Sequence, residues 1–270
     1  MTYTEWWRSL TAVYDEGEAQ AVAQMVLEVG FGLTLADALC GGMPDEALLV
    51  PVRERLLAGE PVQYVLAEAE FGPYRLHVAP GVLIPRPETY ELCQWVTAGG
   101  GSNLLDIGTG SGCIACTLAA GLPQADVTAW DVSSDALDIA RSNAVRLDVS
   151  VAFRQVDILT PQPAPDRQWD VIVSNPPYIC RQESAGMERR VLDYEPDVAL
   201  FVPDDDPLLF YRAIARYAAF SLTAGGRLFF EINPLYVREL EQLLHDEGFQ
   251  QTQTRPDQFG RERFIKTVKP

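Results

Sequence analysis

The stretch that most restricts the fold is Leu104-Leu105-Asp106-Ile107, followed by Gly108-Thr109-Gly110-Ser111-Gly112 and a helix-like apolar run over residues 113–120. A short buried strand, a turn of glycines and a helix make a βα unit whose turn can bring backbone close to a ligand. The alternation continues downstream. Val127-Thr128-Ala129-Trp130 reads as a second strand ending at Asp131, Ser133 or Ser134 caps a helix to Arg146, and residues 151–156 give a third strand ending at Asp157. The run Trp169-Asp170-Val171-Ile172-Val173-Ser174 has the length and β-branched content of a buried fourth strand. A helix near residues 208–219, a Gly225-Gly226 turn, a strand over 228–232, a helix over 237–245 and β runs near 249–254 and 263–268 complete the pattern. Strands alternating with helices predict an α/β domain, Rossmann-like, with a parallel sheet covered on both faces.

Upstream the pattern differs. Residues 2–14 read as a helix with Thr2 and Glu5 spaced as a capping box, and residues 18–29 as a second with Val22, Met25, Val26 and Val29 on one face. A third helical stretch opens at Pro44-Asp45, and Pro51 is expected to break or kink it. Short β-like runs over 62–66 and 74–78 suggest a hairpin, which leads into a rigid Pro85-Arg86-Pro87 bend that presents an arginine to a pocket. The expected organisation is a helical domain over 1–60, a β-hairpin linker over 61–90 and a catalytic domain over 91–270. The helical segment either packs against its neighbour or holds a macromolecular partner, and the sequence favours neither.

Composition removes several functions. Acidic residues outnumber basic ones 38 to 21, so the net charge of −17 opposes attraction to phosphate backbones and anionic lipid. No apolar stretch of about 18 residues occurs, and no basic region precedes an apolar one at the start, so a cytoplasmic location is expected. The cysteines at 40, 93, 113, 116 and 180 are scattered, and Cys113 and Cys116 sit in an apolar helical run as core residues. With His77 and His245 the only histidines, no metal site is expected.

The glycine turn departs from a dinucleotide fingerprint, because Cys113 stands where the third glycine of Gly-x-Gly-x-x-Gly belongs. The pattern is Asp106-x-Gly108-x-Gly110-x-Gly112, and a carboxylate ahead of the loop disfavours pyrophosphate while suiting the ammonium and sulfonium groups of S-adenosylmethionine (SAM). Asp131 is placed to bind a ribose diol and Asp157 to lie beside adenine. The fourth strand runs into Asn175-Pro176-Pro177-Tyr178. Two prolines stiffen this loop, so the Asn175 side-chain oxygen and the Pro176 carbonyl become fixed acceptors for the two hydrogens of a planar NH₂ group. Tyr178 adds an aromatic wall.

Residues 83–89, 106–115 and 175–179, with Tyr194-Glu195-Pro196, resemble the motifs of the HemK/PrmC family of protein-(glutamine-N5) methyltransferases. The resemblance implies a SAM-dependent seven-stranded methyltransferase domain, an N-terminal helical domain that recognises peptide chain release factors, and methylation of the glutamine in their Gly-Gly-Gln loop. It further implies that Asp106, Gly108, Thr109, Gly110, Gly112, Asp131, Asp157 and Asn175 bind SAM. Asn175, Pro176 and Tyr178 would be catalytic, and these with Pro177 and Arg86 would line the substrate site. The implied partner is a release factor, acted on by a monomer with no nucleic acid or membrane involved. Tyr90, Asn233-Pro234 and the glycine-free loop over 201–207 depart from the family pattern. A nucleic-acid adenine, whose exocyclic amine suits the same grip, or a ribosomal-protein glutamine remains an alternative substrate, and a SAM-binding scaffold an alternative role.

Overall fold

The structure, a computed structural model, describes residues 1–164 and 168–270. Its first elements are helices α1 (Tyr3–Arg8), α2 (Glu16–Met25), α3 (Leu35–Leu39), α4 (Glu46–Leu57) and α5 (Val62–Leu66). The Thr2–Glu5 capping box forms, but α1 stops at Arg8, and Leu10 and Tyr14 reach the core from turns beyond it. A π-helical turn, Val26–Gly30, prolongs α2. Pro51 does not break α4: the helix runs through it, with Leu49 and Leu56 buried on either side. These helices share a cluster that includes Trp6, Leu10, Val22, Val26, Leu49 and Leu56.

Residues 62–66 are helical, not the expected strand. Pro61 starts the turn, Ala67 ends it with φ of +55°, and Val62 and Val65, one turn apart, both enter the helical cluster. The hairpin is displaced downstream to β1 (Glu68–Phe71) and β2 (Tyr74–His77), antiparallel about Gly72-Pro73. Its first strand escapes a hydrophobicity search because Glu68 and Glu70 alternate with buried Ala69 and Phe71.

Helix α6 (Pro87–Gly99), absent from the sequence expectations, follows the Pro-Arg-Pro bend with Pro87 at its first position, where no N–H is needed. Then come β3 (Asn103–Ile107), α7 (Cys113–Gly121), β4 (Asp126–Asp131), α8 (Ser134–Arg146), β5 (Ala152–Gln155) and β6 (Trp169–Ser174). A connecting region carries β7 (Ile179–Cys180), α9 (Arg189–Tyr194), α10 (Asp197–Leu200) and β8 (Phe201–Val202), where β7 and β8 pair in parallel. The chain ends with α11 (Leu209–Ser221), β9 (Leu222–Glu231), α12 (Val237–Asp246), β10 (Gln250–Pro256) and β11 (Glu262–Val268).

Seven strands form the main sheet in the order β10-β11-β9-β6-β3-β4-β5, in which β11 runs antiparallel to both its neighbours, β10 and β9, and the remaining pairs are parallel. Successive strand residues serve opposite faces. Leu105, Ile172, Leu228 and Phe230 pack with α11 and α12, whereas Leu104, Val171, Val173 and Phe229 pack with α6 and α7. From β3 the chain winds outward to β4 and β5, then returns to place β6 on the other side of β3. The carboxyl ends of β3 and β6 therefore flank the switch point at which open α/β sheets bind ligands. Ser174 ties the two ends together by donating to the Ile107 carbonyl at 2.6 Å.

The helical cluster is fastened to the connecting region. Arg190 reaches Glu18 at 2.5 Å and lies over the Tyr14 ring, and the Tyr194 hydroxyl donates to the Ala58 carbonyl at 2.9 Å. No helix among the described residues is long and apolar enough to cross a membrane.

Candidate active site

The glycine turn sits above β3. Gly108, Gly110 and Gly112 have φ of +75°, +53° and +81°. A Cβ on Gly112 would lie 2.9 Å from the Ala140 Cβ and 3.1 Å from its Cα. Contact with a helix backbone cannot relax cheaply, so Gly112→Ala is expected to destabilise the protein by about 2–4 kcal/mol, read by denaturant unfolding. Gly108, Thr109, Gly110 and Ser111 instead line a cavity of about 300 Å³ over the switch point.

Asp106 lies behind that wall rather than on it. It is fully buried; Oδ2 accepts from Thr109 Oγ1 at 2.7 Å and from the Ala115 N–H at 3.2 Å, while Oδ1 has no partner. Burial raises its pKa to about 7, against the opposing Thr109 and Ala115 hydrogen bonds. A carboxyl with a raised folded-state pKa binds more protons folded than unfolded, so this group's contribution to stability falls as pH climbs from the usual carboxylate range through 7. Asp106→Asn keeps an acceptor for both donors and cannot ionise. Its melting temperature relative to wild type is expected to rise between pH 5 and pH 8; a difference constant over that range would contradict the assignment.

Asp131, at the end of β4, faces the same cavity and pins the turn: Oδ2 accepts from the Gly110 N–H at 2.8 Å and Oδ1 from the Ser133 N–H at 2.9 Å. Burial raises its pKa. Asp157 also lines the cavity, and its Oδ1 accepts from the Leu159 N–H, so it shapes the turn as well as the wall. Cys113 lines the cavity too, which makes it more than the expected core residue, whereas Cys116 is buried. Burial raises both thiols to about 12, leaving them neutral and poor metal ligands. No group of metal-binding residues occurs among the described residues.

Asn175-Pro176-Pro177-Tyr178 leaves β6 beside the glycine turn. Asn175 and Pro176 line both the first cavity and a second one of about 380 Å³, with Tyr178 on the second and Pro177 on the first. The two cavities thus meet at the proposed acceptor pair. Behind that pair lies a chain of hydrogen bonds. Asn175 Nδ2 donates to Thr89 Oγ1 at 3.3 Å, Thr89 Oγ1 donates to Glu231 Oε2 at 2.6 Å, and the Tyr178 hydroxyl donates to Glu231 Oε1 at 3.1 Å. Burial and then the Glu231 charge raise the Tyr178 pKa, keeping the phenol a donor.

Arg86 lines both cavities, but Glu195 already engages its charge at 2.5 Å. The other Glu195 oxygen accepts from the buried Ile84 N–H at 3.0 Å, so the Tyr-Glu-Pro motif holds the Pro-Arg-Pro bend against the site. The unusual residues also find places. Asn233 donates to the Tyr178 carbonyl at 3.1 Å and accepts from the Leu235 N–H. Phe201 and Val202 form β8, and Tyr90 packs edge-on against Phe71 at the hairpin. Thr89, Glu195 and Glu231 are site residues that the sequence expectations left without a role. Their only sequence signals were the Pro-Glu-Thr and Tyr-Glu-Pro motifs and a further acidic strand end.

Residues 91–192 match the family model described as methyltransferase small domain. Over 268 residues the chain is 41% identical to a release factor glutamine methyltransferase of Bacteroides thetaiotaomicron, covering 96% of this chain and 95% of that protein. It is 38% identical to a protein of the same name from Flavobacterium psychrophilum, covering 97% and 96% respectively. The fold is similar to that of a methyltransferase from Pyrococcus furiosus, with a TM-score of 0.56 and 18% identity over 80% of this chain and 97% of that one.

Proposed function

The chain belongs to the release factor glutamine methyltransferase family, and we propose that it transfers a methyl group from SAM to the side-chain nitrogen of the Gly-Gly-Gln glutamine of peptide chain release factors. The observation that carries this reading is the junction of two cavities at Asn175 and Pro176, one beneath a glycine turn and one walled by Tyr178.

The first cavity's residues fit SAM. Nothing lies within 4 Å of where a Cβ would stand on Gly108 or Gly110, so the loop backbone is open to a ligand. Behind it the buried Asp106 Oδ1 has no partner, which suits a cationic ligand and opposes an anionic one. Asp131 would hold a ribose diol, and Asp157 and Ile158 would flank the adenine. When bound, SAM supplies a methyl group made electrophilic by its sulfonium.

The residues of the chain address the weak partner in the reaction. An amide nitrogen is a poor nucleophile because its lone pair is delocalised into the carbonyl. Asn175 Oδ1 and the Pro176 carbonyl accept no hydrogen bond from the described residues and are offered to its two hydrogens. Two acceptors fix the amide plane and favour positive charge on nitrogen as the new bond forms. The methylated nitrogen then loses its proton readily, so no strong base is required. Tyr178 and Arg86 border the same space. The helices over residues 1–60 are the release factor recognition domain in this reading, joined through the 61–90 segment to the catalytic domain over 91–270.

A competition assay tests the substrate class. The protein is incubated with methyl-labelled SAM and equal amounts of unmodified release factor, ribosomal proteins and adenine-containing DNA or RNA. Label in the release factor alone is expected; label in nucleic acid or ribosomal protein instead would replace this reading.

A further inference from the structure

An asparagine amide presents an oxygen on one side and an NH₂ on the other, and a half-turn about its terminal bond exchanges them with little change of shape. Only the oxygen-inward state can accept from a substrate NH₂. We propose that Thr89 and Glu231 are positioning residues that lock Asn175 in that state through a one-way hydrogen-bond relay, an inference that rests on the glutamine-amide reading above.

The direction follows from donor counting. An ionised carboxylate only accepts, so it claims the single hydroxyl hydrogen of Thr89 at 2.6 Å. The Thr89 oxygen is left with lone pairs alone toward Asn175, and it can be satisfied by Nδ2–H but not by Oδ1. A flipped Asn175 would set two oxygens against each other. Thr89 and Glu231 are each 2% exposed, so water cannot readily substitute for either. Burial, with a smaller push from Glu88, raises the Glu231 pKa, while the Thr89 hydrogen bond, the Arg263 guanidinium and the Tyr178 hydrogen bond oppose that rise and favour the carboxylate. The geometry polarises the relay: each Glu231 oxygen is met by a hydroxyl donor, Thr89 on one and Tyr178 on the other. Cys93 on α6 stays a neutral thiol, and the Tyr211 hydroxyl donates to the Glu231 main-chain carbonyl at 3.1 Å.

The three residues come from separate elements. Thr89 lies on α6, Asn175 follows β6 and Glu231 ends β9, the strand paired with β6, so the relay joins a helix to two neighbouring strand ends on one side of the switch point. Its direction depends on charge and on a hydroxyl, not on side-chain volume. That separates it from packing.

Thr89→Val removes the hydroxyl at constant shape, and Thr89→Ser keeps it. Steady-state methylation of release factor should show kcat lowered about 30- to 100-fold in Thr89→Val, with KM for the protein substrate changed less than about threefold, because orientation and not encounter is lost. Thr89→Ser should stay within about threefold of wild type. If Thr89→Val does not fold, Thr89→Cys, a weak donor of similar size, should give an intermediate loss of kcat. A second readout needs no substrate: the Asn175 side-chain NH₂ resonances, assigned by their loss in Asn175→Ala, should shift in Thr89→Val and not in Thr89→Ser. Wild-type kcat in Thr89→Val, equal losses in Thr89→Val and Thr89→Ser, or an unmoved Asn175 amide resonance in Thr89→Val would each overturn the proposal. Inactivity of wild type toward release factor while the resonances behave as expected would count against the assigned substrate and leave the relay supported.

Discussion

Asn175→Ala is expected to lower kcat for release factor methylation by about 10²- to 10³-fold, the scale on which single preorganised polar groups act in a site from which water is excluded. The substitution removes one of two acceptors and leaves the Pro176 carbonyl, so the amide can still enter but is no longer held in one plane. Affinity for SAM should change far less, because the glycine turn and Asp131 are untouched. Stopped single-turnover kinetics with saturating SAM, together with calorimetric titration of the cofactor, separate the two effects. Equal losses in both would mean that Asn175 serves mainly the first cavity.

Asp131→Ala should produce the converse pattern. The carboxylate holds the Gly110 and Ser133 N–H groups and is the acceptor proposed for the ribose diol. Charge-assisted hydrogen bonds contribute about 1.5–3 kcal/mol each, so loss of the diol contacts and release of the turn should weaken SAM binding by about 2–4 kcal/mol, or about 30- to 1000-fold. Asp131→Asn should recover little, since its NH₂ would face at least one of the two N–H donors. Calorimetry with S-adenosylhomocysteine, which lacks the reactive methyl, reads the affinity without turnover. Binding within a few-fold of wild type would remove Asp131 from the cofactor site.

These two residues were visible in the sequence for a physical reason. Buried parallel strands are short apolar runs, and a polar residue that ends one breaks the pattern abruptly; Asp131 and Asn175 are such breaks. Asp106 was legible as a residue of the loop motif but not in its placement, since sequence spacing cannot say whether a carboxylate faces a cavity or lies behind its wall. The hairpin was misplaced because five residues of Val-Gln-Tyr-Val-Leu satisfy both a strand and a single helical turn. Packing decided between them, through Val62 and Val65. Helix α6 went unread because its start coincides with a proline-rich bend, and its Leu92, Cys93 and Val96 face is narrow. Thr89 and Glu231 are 142 positions apart in the chain, and no local pattern could join them. Only the packing of α6 against the sheet beside β9 brings the two residues to either side of one hydrogen bond.

Locating the transferred methyl group tests the proposed reaction at the reacting atom, the glutamine side-chain nitrogen. Release factor treated with the protein and methyl-labelled SAM would be digested and fragmented by tandem mass spectrometry, with Asn175→Ala in parallel. A single added methyl on the side-chain nitrogen of the Gly-Gly-Gln glutamine, lost in the variant, is the expected result. A methyl on another residue, or on that glutamine at an undiminished rate in Asn175→Ala, would overturn the assignment of Asn175 and Pro176 as the amide-holding pair.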